Sequence, residues 1–395
     1  MRLLAALLLC VVGLSGSTAE TSPMAGPPPH DAYIWQHHWT PAVVSAAQNS
    51  ADIVARWHLL VAEADRSGHW TAVAVPWAEI QRTGRPIVAV IRIDGRLDEA
   101  RMPALLDRIV SAVGAAPDLT GLEIDYDCPT SKLAGYATFL AALRPRLPSS
   151  LALSITALPT WLSSPALERL TQRVNEIVLQ VHAVDDPRHG LFDPAQAERW
   201  VRDFGRRTAR PFRVALPAYD VRVTWRADGK LASVEGERSL LTGHTDGETL
   251  GADPKAVLGL IHALQRAAPR ELAGFVWFRL PTTADARAWS LDTWRAVVGD
   301  RLPPAQLSAA LVATATPNLW DITLSNDGPA DVSLPRRVRL DPGCEMADGA
   351  NGFHLAAAGS LTLDGPPGGR LRAHGKRVIG WARCTEPLRP LDVAP

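Results

Sequence analysis

Thr120 to Thr130 reads TGLEIDYDCPT. Glu123, Asp125 and Asp127 recur at every second residue, the period of a β-strand, so all three carboxyl groups share one face. Leu122, Ile124 and Tyr126 take the opposite face and suit a helical layer packed against it. Acids on an inward strand face are costly to bury unless they are paired or hydrogen-bonded. Three carboxyl groups a few Å apart cannot all ionise freely, so at least one is expected to hold its proton near neutral pH. A proton-holding carboxyl is what a general acid needs. The alternative is a polar strand end that faces solvent or pairs with arginine.

Outward from this strand, short apolar runs alternate with amphipathic stretches. Strands are predicted at Tyr33–Trp39, Ala72–Val75, Pro86–Ile93, Gly121–Tyr126, Ala152–Ala157, Glu176–Val181, Arg213–Pro217 and Gly274–Leu280. Helix-like segments lie between most of them: Asp98–Val113, Ser131–Leu147, Pro165–Val174, Asp193–Arg207 and Pro254–Ala268. Eight such units are the count and size of a (β/α)8 TIM barrel, whose active sites sit at the C-terminal ends of the strands. The acids of 120–130 fall at such an end. A doubly wound open sheet is the alternative architecture. No strand is followed by G-x-G-x-x-G, and no G-x-x-x-x-G-K-[ST] occurs, so no nucleotide partner is expected.

The ends of the chain read differently. Residues 1–19 have Arg2, an apolar run from Leu3 to Leu14 too short to span a bilayer, and small residues Ser17 and Ala19 before Glu20. This is the pattern of a cleavable signal peptide, so the expected location is periplasmic or secreted. Residues 20–30 form a Pro-rich linker, and residues 31–302 the barrel. Residues 303–395 carry short alternating runs broken by Asn, Asp, Gly and Pro, and are expected to form a small C-terminal antiparallel β domain. In an oxidising compartment Cys344 and Cys384 are candidates for a disulfide that staples this segment. Cys128 would then be a buried thiol beside the acid cluster.

Lys+Arg and Asp+Glu both number 41, so the net charge is zero over 395 residues. A neutral chain lacks the basic face that a nucleic-acid binder needs, and no nucleic-acid partner is expected. The 13 Trp outnumber the 4 Tyr and 7 Phe, which suggests flat apolar platforms as well as core.

The segment TGLEIDYDCP resembles the D-G-x-D-x-D-x-E signature on the fourth barrel strand of the chitinase-like glycoside hydrolases of family 18. Gly121 matches the family glycine, Asp125 the central Asp and Asp127 the catalytic acid position; Glu123 stands at an Asp position and Thr120 replaces the first Asp. GFVWFRLP, from Gly274 to Pro281, looks like the last strand of that family, with Trp277 at the position of the Trp that floors the sugar site. RVALPAYD, from Arg213 to Asp220, is similar to its seventh strand, with Tyr219 at a matching aromatic. IVLQVHA, from Ile177 to Ala183, sits where the family has Met-x-Tyr-Asp, with Gln180 and His182 on the inward face. The chain is also similar to an uncharacterised family of exported bacterial barrel proteins.

The resemblance implies a hydrolase acting on an envelope or extracellular glycan, monomeric and needing no cofactor, whose partner is a polysaccharide or oligosaccharide. Asp127 would be the general acid, Asp125 and Glu123 would tune it, and Tyr219, Trp277, Gln180, His182, Trp35 and Trp161 would shape the substrate site. Trp39, Trp77 and Trp225 extend this set of mouth aromatics, whereas Trp57, Trp200 and Trp294 fall on predicted helices and are expected in the core. Arg92 and Asp94 end the third predicted strand and are candidates either for the site or for pairing with the acids.

Two departures bear on the chemistry. An Asp in place of the family's acidic Glu retracts the proton by about 1.5 Å, which can lower a rate by roughly 10²-fold. Ala183 stands at or near the family's substrate-positioning Asp of the sixth strand, which removes a support for the acetamido-assisted route. A glycan-binding or scaffold protein without turnover is therefore the alternative function. A third is a metal-dependent polysaccharide deacetylase using His37 or His38 with His182 and a carboxylate. Adjacent strand histidines cannot both face inward, so no metal is expected.

Overall fold

The structure is a computed structural model and describes residues 26–95, 97, 101–184, 186–226, 228–236, 247–340, 343–385 and 391–394. The expected signal peptide, most of the linker and the first residues of the helix expected from Asp98 lie outside these.

Eight parallel strands close on themselves: β1 (His30–Ile34), β2 (Trp57–Ala64), β3 (Ile87–Ile93), β4 (Leu119–Asp125), β5 (Ala152–Ala157), β6 (Glu176–Gln180), β7 (Phe212–Pro217) and β8 (Leu272–Phe278). Each pairs with the next in sequence, and β1 pairs with both β2 and β8, which completes the barrel. The (β/α)8 architecture expected from the sequence is the one observed.

Helices α1 (Pro41–Ser50), α2 (Met102–Ala115), α3 (Leu133–Leu143), α4 (Pro194–Arg207), α5 (Pro254–Arg266) and α6 (Leu291–Val298) form the outer layer, with single turns at Trp77–Gln81 and Leu167–Thr171. Their starts follow local chemistry. The Asp193 side chain accepts from the backbone N–H groups of Ala195 and Gln196, Asp253 from Lys255, and Ser290 from Thr293. Pro194 and Pro254 occupy first-turn positions where no amide hydrogen is needed.

Each strand divides its side chains between two cores. Leu122, Ile124, Tyr126, Ile155, Leu179 and Phe275 join the large core between strands and helices, while Tyr33, Val90, Val178, Ala215 and Val276 meet inside the barrel. Gly274 on β8 adopts φ +144°, and a Cβ there would collide with the Pro29 carbonyl and lie 2.6 Å from Arg213 Nη1, so only glycine fits.

Two strand positions differ from the sequence expectation. The second barrel strand is Trp57–Ala64, not Ala72–Val75; Trp70–Ala72 instead pairs antiparallel to it as an edge. Trp57 is buried as expected, but on a strand, because a run such as WHLLVA, apolar but for His58, carries no period that separates helix from strand. The first strand ends at Ile34, so Trp35 to Trp39 lie in the loop before α1.

The C-terminal region is a separate antiparallel β unit. Strands β9 (Leu307–Ala313), β10 (Leu319–Asn326), β11 (Cys344–Gly349) and β12 (Lys376–Cys384) form a sheet in the order β9-β10-β12-β11, beside smaller sheets and around their own core. Cys344 and Cys384 form a disulfide joining β11 to β12. Arg370 pairs with Asp220 of the barrel, and Asp331 accepts from the Ser290 backbone at the start of α6, at 2.7 Å, so the unit is seated on the barrel by buried polar contacts. Among the described residues no helix is long and apolar enough to cross a membrane.

Candidate active site at the barrel mouth

The three acids of β4 and its loop occupy three depths. Glu123 is fully buried. Tyr33 donates its hydroxyl to Glu123 Oε1, Thr156 donates to the same oxygen at 3.1 Å, and His58 Nδ1 stands 2.7 Å from Oε2. Below them His58 Nε2 approaches Asp31 Oδ2 at 3.2 Å, and Asp31 also meets Arg56 at 2.8 Å and Arg213 at 3.2 Å. Both arginines continue to Glu176, so the barrel floor is closed by a connected network of charged groups. Burial alone would lower the His58 imidazole, but the flanking Glu123 and Asp31 override it and raise it.

Asp125, one layer higher, accepts from Arg92 Nη1 at 2.6 Å. Asp127 lies beyond the strand end with its side chain 36% exposed, and its carboxylate is 3.5 Å from Arg92 Nη2. One guanidinium therefore spans both acids. Burial, then the Asp127 charge, push the Asp125 carboxyl up to about 7 against the pull of Arg92. Burial also raises Asp127, again opposed by Arg92. Asp125 is buried and Asp127 is the partly exposed member of the pair, and both carboxyls are held above the usual carboxylate range.

Aromatic groups line the rest of the mouth. Trp35 lies edge-on to Tyr33 and Phe278, and the Arg92 guanidinium lies 6.0 Å from its ring. Phe278 touches His182, at 5.6 Å between centroids, and Tyr219, at 5.4 Å. The Tyr219 hydroxyl stands 3.2 Å from His182 Nδ1, while His182 Nε2 is buried without a partner. Burial lowers His182 to about 3, so the ring is neutral, and the hydroxyl contact favours the tautomer with its proton on Nε2. Gln180 donates to the His182 carbonyl at 3.0 Å, which commits its amide to holding the loop.

Two expected site residues are elsewhere. Trp277 is fully buried in the outer layer, donating to His30 Nδ1 at 3.0 Å and packing on Trp289 and Trp294. The register of β8 turns Val276 and Phe278 inward, so Phe278 occupies the lumen position assigned to Trp277. Trp161 is likewise fully buried, donating to the Cys128 carbonyl at 2.9 Å against Tyr136. Neither can stack on a ligand at the mouth. Trp39 and Trp77 pack partly buried on the outer core, Trp200 does the same, and Trp225 lies under Arg188. Asp94 pairs with Arg66 at the surface, and its charge adds to the rise of Asp127. Cys128 is a buried free thiol that burial pushes up to about 12, which makes it unreactive.

Tyr33, His58, Asp31, Thr156 and Phe278 are the participants that the sequence did not single out. An inward parity count on WHLLVA, once recognised as a strand, would have found His58. His37 contacts Glu63 rather than His182, and among the described residues no group of three His, Cys, Asp or Glu side chains is placed to hold a metal.

Solved structures with a similar fold include the spore cortex-lytic enzyme SleL of Bacillus cereus, with a TM-score of 0.52 at 12% identity over 70% of this chain and 75% of that one. A chitinase from Bacteroides thetaiotaomicron gives 0.52 at 11% identity, covering 70% and 97%. A chitinase from Chromobacterium violaceum gives 0.50 at 13%, covering 70% and 99%. At these identities the likeness is one of fold, the chitinase-like barrel that the β4 sequence resembles. No curated protein matches the chain. The C-terminal unit matches a family described as domain of unknown function DUF8456 over residues 309–385. The barrel matches the family described as domain of unknown function DUF3142 over residues 83–283, half of the chain, and the protein belongs to that family.

Proposed function

We propose that the protein hydrolyses glycosidic bonds in an envelope or extracellular glycan, with Asp127 as general acid and Asp125 as its electrostatic partner. The observation that carries this is the pair of raised carboxyls joined by Arg92 beside the Trp35 ring. Protonated Asp127 gives its proton to the glycosidic oxygen as the C–O bond breaks. Positive charge develops on the sugar ring and is met by the Asp125 carboxylate. Water then adds to the anomeric carbon and returns a proton to Asp127, so the reaction closes with no cofactor. Trp35 and Phe278 offer apolar faces to the sugar, and His182 Nε2 is a buried donor for a ring substituent. The similarity to enzymes named as chitinases and as cortex-lytic supports a glycan substrate, and the signal-peptide pattern expected at residues 1–19 supports action outside the cytoplasm.

The second reading is glycan binding without turnover. It is favoured by the short Asp127 side chain and by Arg92, which competes for the same carboxylate at 3.5 Å. Reducing-end release from chitin and from peptidoglycan separates the two. Hydrolysis predicts release by the wild type and a loss of about 10² to 10⁴-fold in Asp127→Asn. Binding to either polymer with no release over long incubation would establish the second reading.

A further inference from the structure

A cavity of about 310 Å³ opens beside the mouth, between the loops that follow β1 and β8. Gln36, His37, His38 and Thr40 form one wall, and Thr282 and Asp285 the other. Gln36 is 8% exposed, yet neither its Nε2 nor its Oε1 has a hydrogen-bond partner. Thr40 is the N-cap residue of α1, where a Thr hydroxyl ordinarily accepts from the first turn. Its Oγ1 makes no such bond and is also buried and unpartnered, as is Trp39 Nε1. Unpaired buried polar atoms are rare because each retains its desolvation cost. Three of these atoms, on Gln36 and Thr40, belong to residues that line one cavity, and together they call for a partner outside the chain.

The atoms specify that partner's chemistry. Gln36 leaves both a donor and an acceptor unmet. A carboxylate or phosphate supplies no donor for Oε1, and a cation supplies no acceptor for Nε2. A hydroxyl satisfies either end, and a pair of neighbouring hydroxyls satisfies both. Across the cavity Asp285 is already engaged, with Arg279 Nε at 3.0 Å and the Arg287 backbone at 3.0 Å, so it forms a neutralised wall. Trp35 immediately precedes Gln36 and carries the mouth's open ring, with Arg92 and the acids on its far side.

We infer that the cavity is a second subsite, which receives a neutral sugar residue of the same glycan chain. With ligand bound, the Gln36 amide and Thr40 hydroxyl, closed off from solvent in the free protein, turn to the cavity and bond adjacent sugar hydroxyls, one residue or more along the chain from the acids. This deepens the glycan reading above and rests on it.

The test uses the full-length protein with Gln36→Leu and Thr40→Val, and soluble hexasaccharides of N-acetylglucosamine, glucose and xylose as probes in titration calorimetry. A residue unpaired in the free protein and bonded only to ligand gives a split result. Gln36→Leu keeps or raises the melting temperature and weakens the bound probe about tenfold; Thr40→Val acts in the same direction. Unchanged probe affinity in both variants overturns the subsite and leaves the glycan reading standing, the cavity then holding water only. A fall in melting temperature with unchanged affinity makes Gln36 structural and overturns it as well. Failure of the wild type to bind any of the three probes overturns the subsite together with the reading on which it rests.

Discussion

Arg92 Nη1 lies 2.6 Å from Asp125 Oδ2, and the same guanidinium reaches Asp127 at 3.5 Å. The cation therefore restrains two acids that burial pushes upward, aided by the Asp127 charge at Asp125 and by the Asp94 charge at Asp127. Replacing it with a neutral side chain of similar length removes that restraint. In Arg92→Met, carboxyl carbon NMR should show both Asp125 and Asp127 titrating at higher pH than in the wild type. If the enzyme hydrolyses glycan, the alkaline limb of its rate profile moves up with them. Unmoved titrations would mean that Arg92 does not set the acidity of this pair.

Asp125 also makes stability depend on pH. Its carboxyl has an ordinary value of 3.8 in the unfolded chain and about 7 in the folded one. Between those limits the folded state keeps a proton that the unfolded state has released. Its contribution is thus full below 3.8 and is lost as pH rises to about 7. Asp125→Asn cannot lose a proton. Urea midpoints of the two proteins should therefore shift in the variant's favour between pH 5 and pH 8. A difference that is the same at both pH values would show that Asp125 titrates normally.

His58 joins Glu123 to Asp31 in a fully enclosed layer. His58→Leu leaves two buried carboxyl groups without this partner and is expected to destabilise the fold by about 3–5 kcal/mol, measured by denaturant unfolding. The imidazole is raised above its ordinary 6.5, so its stabilisation is complete below that value and is lost as pH rises through the folded-state value. The penalty in His58→Leu should accordingly shrink in alkaline buffer. A small penalty, independent of pH, would contradict a charged His58.

The Cys344–Cys384 bridge closes a segment of 40 residues within the C-terminal unit. Reduction, or Cys384→Ser, should cost that unit about 2–5 kcal/mol. Calorimetry with and without reductant would show it as a fall in the transition that contains β9 to β12. No shift on reduction would mean the tail core alone carries its stability.

Much of this architecture was legible locally. Alternation in LEIDYD placed Glu123 and Asp125 inward and Leu122, Ile124 and Tyr126 toward the helices, because a strand's two faces follow directly from its period, while Asp127 falls just beyond the strand end. The eight-strand count and the antiparallel tail rested on equally local patterns. Where the local signal was symmetric, the expectation failed. WHLLVA is apolar but for His58, and GFVWFR offers an aromatic on each face, so neither the second strand nor the inward residue of β8 followed from spacing.

The sequence by itself determined which strand carries the acids, which way they face and that the chain alternates strand and helix. Tertiary structure alone decided their partners. Tyr33, His58, Arg92 and Thr156 reach the β4 acids from four different strands or strand ends, 33 to 90 residues away in sequence. Those meetings depend on the register of neighbouring strands and on closure of β1 against β2 and β8. Register is fixed by packing over the whole barrel, and it is register that turned Trp277 outward and Phe278 into the mouth.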